Sequence, residues 1–181
     1  WLVNLGSSWS MPGYHAAVRA ARARDGVRYA ALVHDIGPIV VPEHNEPAMA
    51  ASFARWFATL GVEADLLLAV SDATRRDMLR IAAEALPGLP FAPVRVLRPD
   101  ARTPPATAAV HPRIAALGGA PYVLFVGTIE SRKDHLFVLN AWLALLRRHG
   151  DAVPPLVLAG RAGFDAGPAI SLLQRAPALQ G

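Results

Sequence analysis

Apolar residues fall into two patterns along the first hundred positions, short continuous runs and longer segments with helical spacing. The continuous runs predict strands at residues 2–5, 28–33, 66–70 and 94–97, and the spaced segments predict helices at 15–24, 47–60 and 71–86. Gly26 and Gly61 are expected to end the first two helices, and Ser71 to cap the third. Because strands and helices alternate, the sequence predicts a parallel sheet covered by helices.

The pattern lapses over residues 100–119, where proline and glycine predict a linker with one short helix near Ile114. Beyond it the alternation returns, with strands at 122–126 and 156–159 and a further helix beginning at Pro168. The first of these strands is uniformly apolar, so it is expected to be buried on both faces. The helix between the strands is expected to begin at Asp134 and end at Gly150, with an apolar face of Leu136, Leu139, Leu143 and Leu146.

Composition excludes several classes of protein. The chain has 181 residues, 53% of them hydrophobic, which is enough to bury a core of ordinary size. Its net charge of +4 comes from scattered arginines and one lysine, so no nucleic-acid partner is expected. There are no cysteines, and the His, Asp and Glu residues lack ligand spacing, so no disulfide or metal site is expected. No apolar run approaches the roughly 18 residues of a membrane-spanning helix.

Candidate chemistry lies just after the predicted strands, where open parallel sheets bind their ligands. The lysine, Lys133, follows Arg132 in the loop that begins at Gly127. Backbone N–H groups at the start of the next helix, together with these two cations, predict a phosphate or diphosphate site. The other post-strand segments are residues 6–10, 34–38, 71–74, 98–100 and 160–163.

Each candidate also has a simpler interpretation. Arg132 and Lys133 could be a solvated pair, and His34 with Asp35 could form a hydrogen-bonded turn at a strand end. Ser71 could act only as a helix cap. Arg161 is equally consistent with a phosphate neighbour or a surface residue.

Four motifs, in order along the chain, resemble those of a known enzyme family. They are LVHDIGP at 32–38 followed by Pro42 and Glu43, LAVSDATRRDM at 68–78, VLFVGTIESRKDH at 123–135, and LVLAGRAG at 156–163. Together they are similar to the group-1 retaining glycosyltransferases, which use nucleotide sugars, have two Rossmann-like domains (the GT-B architecture) and include bacterial mannosyltransferases.

The resemblance implies two incomplete Rossmann-like parallel-sheet domains. Residues 1–99 would be the C-terminal part of the acceptor-side domain, 100–119 the linker, and 120–181 the first part of the donor domain. The family's glycine-rich first loop would lie before Trp1, and its acidic pair, spaced by seven residues, would lie after Gly181. The chain alone is therefore expected to be inactive, and to self-associate through its uncovered sheet edge.

The resemblance also implies roles for individual residues. His34 would be the catalytic-site residue that faces the transferring sugar from the acceptor side. Four residues would bind or closely approach the donor diphosphate: Gly127, Thr128, Arg132 and Lys133. Three more are candidates for the cleft: Asp35, Ser71 and Arg161.

The implied function is transfer of a sugar, with mannose as the candidate, from a nucleoside-diphosphate sugar to a glycan or lipid-linked acceptor. The anomeric configuration would be retained, without a metal or other cofactor. The setting would be bacterial surface-polysaccharide biosynthesis in the cytoplasm, with peripheral contact at the inner face of the membrane. The alternative is a non-catalytic nucleotide-binding fragment or module. A dinucleotide oxidoreductase is disfavoured, because no Gly-x-Gly-x-x-Gly motif follows a strand.

Overall fold

The chain is a mixed α/β protein built on parallel sheets, as the sequence predicts. The computed structural model describes residues 1–100 and 109–180. It divides into two compact units, residues 1–102 and 103–181, which we describe separately. Residues 101–108 of the predicted linker lie outside the described residues. Among the described helices, none is both long and apolar enough to cross a membrane.

The first unit contains a four-stranded sheet in which all the strands are parallel and follow one another in sequence order. Its strands are β1 (Leu2–Asn4), β2 (Tyr29–Val33), β3 (Leu66–Ala69) and β4 (Val94–Val96). Its helices are α1 (Tyr14–Asp25), α2 (Gly37–Val40), α3 (Pro47–Glu63) and α4 (Asp72–Ala85), with a 3-10 turn at Pro42–His44. The predicted strands and helices are thus all present, and the carboxyl ends of the four strands share one edge.

The core of this unit is the contact between α3 and the sheet. Phe53, Trp56, Phe57 and Leu60 recur at helical spacing, so they share one face of α3, and all four are buried. They form one cluster with buried side chains from β2, β3, α1 and α4. Each fully buried side chain of this size contributes about 1.5–3 kcal/mol, so this face of α3 holds the sheet and its carboxyl edge in place.

The expectation that Gly61 ends α3 is wrong, because the helix continues to Glu63. Gly61 is buried inside the helix, and a Cβ atom there would lie 2.1 Å from the ring of Phe91. The glycine therefore serves packing. It leaves the space that the Phe91 ring fills, and Ala64, in extended conformation, follows as the C-cap.

We expect Gly61→Ala to lower the free energy of unfolding by about 1–2 kcal/mol, because the new methyl group must displace the Phe91 ring. Helix propensity alone would predict the opposite, a gain of roughly 0.5–1 kcal/mol. Urea unfolding measures the difference. The matched control is Gly167→Ala, at a helical position where a Cβ atom meets nothing within 4 Å. An unfolding free energy above that of the unmodified chain would contradict the packing role of Gly61.

The second unit contains two parallel strands, and helices precede, separate and follow them along the chain. The elements are α5 (Pro112–Ala115), β5 (Val123–Val126), α6 (His135–His149), β6 (Leu156–Ala159) and α7 (Gly167–Arg175), with 3-10 turns at Ser131–Lys133, Gly150–Ala152 and Pro177–Leu179. The short helix expected near Ile114 is confirmed as α5. Gly150 ends α6 as predicted, since its N–H donates to the carbonyl of Leu146.

The expectation that β5 is buried on both faces is wrong. Val123, Leu124 and Val126 are 42%, 50% and 67% exposed. Among the described residues β5 pairs only with β6, so its other edge is open and too few neighbours cover its faces. The leucines predicted to share one face of α6 differ in burial. Leu136 is exposed, whereas Leu139 and His135, one helical turn apart, are buried.

Candidate anion-binding site

The loops that follow β5 and β6 are joined by backbone hydrogen bonds beyond the ends of the strands. Gly127 N–H donates to the carbonyl of Ala159 at 2.9 Å, and Ile129 N–H donates to that of Arg161 at 2.8 Å. Gly163 N–H then donates back to the carbonyl of Ile129 at 2.8 Å. The parallel pairing therefore extends past both strands, and the two loops form one backbone platform at the carboxyl edge.

Two glycines of the second loop make this pairing sterically feasible. A Cβ atom on Gly160 would lie 1.8 Å from the carbonyl oxygen of Gly127, and one on Gly163 would lie 2.5 Å from the methyl group of Thr128. Gly127 itself has φ of +153°, a value that residues with side chains rarely adopt. In the sequence, Gly160 and Gly163 match only part of the Gly-x-Gly-x-x-Gly motif of dinucleotide-binding proteins. Glycines directly after a strand are nevertheless a sequence feature that indicates close approach of another stretch of backbone.

The start of α6 confirms the predicted cap. Asp134 has φ of +52°, and its carboxylate accepts a hydrogen bond from Phe137 N–H at 3.2 Å. The preceding 3-10 turn presents Arg132 and Lys133 to solvent. Their surroundings differ, because Arg132 forms an ion pair of 2.7 Å with Glu130, whereas the side-chain ammonium of Lys133 has no hydrogen bond or ion pair within the described part of the chain.

His135 anchors the first turn of α6 on the sheet. Its ring is 2% exposed and stacks on Phe125 of β5, with a centroid distance of 4.4 Å. Neither ring nitrogen has a hydrogen-bond partner among the described residues. The ring lines a cavity of about 120 Å³ together with Ser131 and Asp134. From the sequence His135 is an ordinary histidine, and no signal there indicates its burial.

His34 and Asp35 lie at the carboxyl end of β2 in the first unit, and both are exposed. The carbonyl of His34 accepts a hydrogen bond of 3.3 Å from the Thr74 hydroxyl, while its ring has no partner within the residues described. Asp35 accepts a hydrogen bond of 2.8 Å from Gly37 N–H. This is the hydrogen-bonded turn at a strand end that the sequence predicts as the alternative to a role in the cleft. The imidazole of His34 is therefore available to a ligand, and its catalytic role stays a prediction.

Ser71 is the N-cap of α4, since its hydroxyl accepts a hydrogen bond of 3.1 Å from Thr74 N–H. The adjacent Asp72 pairs with Arg98 at 3.4 Å and with Arg75 at 3.6 Å. The capping prediction for Ser71 is confirmed, and a role in a binding cleft stays a prediction.

The candidate residues fall into two groups, one in each unit. His34, Asp35 and Ser71 follow strands of the first sheet, while Gly127, Thr128, Arg132, Lys133 and Arg161 follow strands of the second. The second group combines cationic side chains with a backbone platform at a helix start, an arrangement suited to binding a phosphate. No cluster of three or more His, Asp or Glu side chains suited to a metal occurs within the described ranges.

We expect Gly160→Ala to separate the two loops, because a methyl group cannot share space with the Gly127 carbonyl. Overpacking against backbone should lower the free energy of unfolding of the second unit by about 1–3 kcal/mol. Thermal melting or urea unfolding measures this, and Gly167→Ala again supplies the control. Unchanged stability and an unchanged hydrogen-exchange rate at Ile129 would contradict the close approach.

We expect Ser71→Ala to cost about 1 kcal/mol of stability through loss of the N-cap of α4. Ser71→Asp, which retains a capping oxygen, should restore most of it. Urea unfolding of both variants tests the assignment, and equal losses in the two would show that capping is not the contribution of Ser71.

Comparison with known proteins identifies distant relatives. The chain is 28% identical over 157 residues to two Escherichia coli proteins, each described as the serotype-specific mannosyltransferase WbdA. The match covers 82% of this chain and 19% and 18% of the two relatives. The chain thus spans less than a fifth of the length of these relatives. No protein-family model and no solved structure matches the chain.

Proposed function

We propose that this chain is part of a glycosyltransferase that uses a nucleoside-diphosphate sugar. The observation that carries the proposal is Lys133, an exposed ammonium without a partner among the described residues. It lies directly before the N-cap of α6, at the end of a loop that backbone hydrogen bonds join to the loop after β6. The similarity to two mannosyltransferases supports it, and their description makes mannose the candidate sugar.

The chemistry requires a group like Lys133. When the bond between the sugar and the diphosphate breaks, negative charge grows on the leaving diphosphate. Cations and N–H groups that are already in position stabilise this charge without the cost of reorganisation. In this proposal Lys133 meets the diphosphate, Arg132 and Arg161 lie beside it, and Gly127 and Thr128 allow its close approach.

The finer features of the function belong to the same proposal. Transfer would retain the anomeric configuration and would need no metal. The acceptor would be a glycan or a lipid-linked glycan of a bacterial surface polysaccharide, met in the cytoplasm at the inner face of the membrane. His34 would face the sugar from the acceptor side. These features rest on the motifs at 32–38 and 123–135, which resemble those of group-1 enzymes.

A non-catalytic nucleotide-binding module is the second candidate. The two candidates share the diphosphate site and differ in turnover. Because the chain alone is expected to be inactive, sugar release or transfer from GDP-mannose or UDP-glucose by the longer protein that contains it distinguishes them. A module would bind nucleotide without consuming it.

Since Lys133 is the only lysine, an amine-selective reagent can modify only this side chain and the amino terminus. We expect saturating GDP, UDP or ADP to slow modification of Lys133 and to leave the amino terminus unaffected. High salt should weaken this protection, because the attraction is largely electrostatic. Mass spectrometry of the two peptides gives both rates in one sample. Equal rates at Lys133 with and without nucleotide would contradict the site.

We expect Lys133→Ala to weaken nucleoside-diphosphate binding by about 1.5–3 kcal/mol, the range for hydrogen bonds to charged groups. Titration calorimetry measures the change. The matched control is Arg148→Ala, which removes one exposed cation near the opposite end of α6, about 20 Å along its axis. Equal losses in the two variants would indicate a general charge effect in place of a site at Lys133.

A further inference from the structure

Arg132 and Lys133, the two adjacent basic residues of the candidate site, are not equivalent. We propose that Glu130 is a resident counter-ion of Arg132 that weakens the hold of the loop on a free nucleoside diphosphate relative to the intact nucleotide sugar. Glu130 would thereby favour release of the product. This inference rests on the proposed function, and it assigns to Glu130 a specificity role that the motifs do not assign.

Glu130 is held in place by its surroundings. Its side chain is 19% exposed, and Oε1 lies 2.7 Å from Nη2 of Arg132. Its Oε2 would lie 3.5 Å from a Cβ atom on Gly163, so the carboxylate sits over the space that the glycine leaves. The second loop thus lies beside this carboxylate, and most of the Glu130 side chain is shielded from solvent. The Arg132 guanidinium is correspondingly occupied by a protein carboxylate.

The pairing leaves the segment without net charge. Residues 130–134 contain two acids, Glu130 and Asp134, and two bases, Arg132 and Lys133. Asp134 is engaged in capping α6 and Glu130 in the ion pair, so Lys133 is the cation with no partner among the described residues. A diphosphate that engages Arg132 must therefore either share the guanidinium with Glu130 or displace it.

A fixed carboxylate distinguishes ligands by their charge. The diphosphate of a nucleotide sugar carries two negative charges, whereas a free nucleoside diphosphate carries up to a third, because its terminal phosphate has a second pKa near 6. Repulsion between the Glu130 carboxylate and one negative charge of a ligand about 6 Å away lowers the affinity for that ligand by roughly three- to tenfold, at an effective dielectric constant of about 40–80. Glu130 therefore opposes the product more strongly than it opposes the substrate.

The test compares Glu130→Gln with the matched control Asp151→Asn, by titration calorimetry at low ionic strength. Glutamine preserves the shape of Glu130 and removes its charge. Asp151 is exposed just beyond the far end of α6, so its change gives the same net charge at a distance. The probes are GDP with GDP-mannose, UDP with UDP-glucose, and inorganic diphosphate.

We expect Glu130→Gln to tighten binding of the free diphosphates about threefold more than that of the nucleotide sugars, because they carry one more negative charge. Asp151→Asn should change either affinity by less than twofold. Arg132→Ala should weaken diphosphate binding more in the Glu130→Gln background than in the unmodified chain, because the guanidinium is then free. An unchanged ratio between nucleoside diphosphate and nucleotide sugar would overturn the inference. Equal shifts in Glu130→Gln and Asp151→Asn, or equal costs of Arg132→Ala in both backgrounds, would also overturn it.

The probes separate this inference from the proposed function. If GDP and GDP-mannose bind but Glu130→Gln alters neither, the counter-ion role fails and the nucleotide-sugar site of the proposed function stands. If Glu130→Gln tightens inorganic diphosphate through Arg132 while no nucleotide sugar binds, the counter-ion role stands for the anion site and the proposed function fails. If no probe binds to any variant, both fail. Urea unfolding midpoints equal to that of the unmodified chain confirm that the variants fold.

Discussion

The candidate site depends on one contact between two stretches of backbone, the carbonyl of Gly127 against the α-carbon of Gly160. Side-chain contacts can be repacked when one partner changes, but a carbonyl at the end of a strand cannot move without breaking the strand pairing. The contact therefore fixes the path of the first loop, and with it the positions from which Glu130, Arg132 and Lys133 project. The positions of these side chains therefore depend on Gly160 in the second loop, which has no Cβ atom to block the contact.

The first unit achieves a comparable result by different means. The aromatic face of α3 presses on β2 and β3, and this packing fixes the carboxyl edge from which His34 and Ser71 follow. Local hydrogen bonds then set each residue, through the Thr74 hydroxyl for His34 and through the N-cap for Ser71. The first unit positions its candidate residues by burying large side chains of α3, and the second does so through close backbone contacts at glycines.

Features with local causes could be predicted from the sequence, and features that depend on distant residues could not. The caps at Ser71 and Asp134 need only their own helices, and the strands follow from short apolar runs. The packing role of Gly61 depends on the ring of Phe91, which lies thirty positions further along the chain. The exposure of β5 depends on which strands stand beside it, and the role of Gly160 on the loop that meets it. Periodicity along the chain carries no information about such partners.

The hydrogen bonds that continue past β5 and β6 also bear on the thermodynamics of ligand capture. A post-strand loop that is free in solution must be ordered when it closes on an anion, and each residue fixed costs about 1–2 kcal/mol of conformational entropy. Here Gly127, Ile129 and Gly163 already donate to the neighbouring loop. Most of that ordering is complete before a ligand arrives, so differences in affinity among anions should arise mainly from their charge and their fit to the loop.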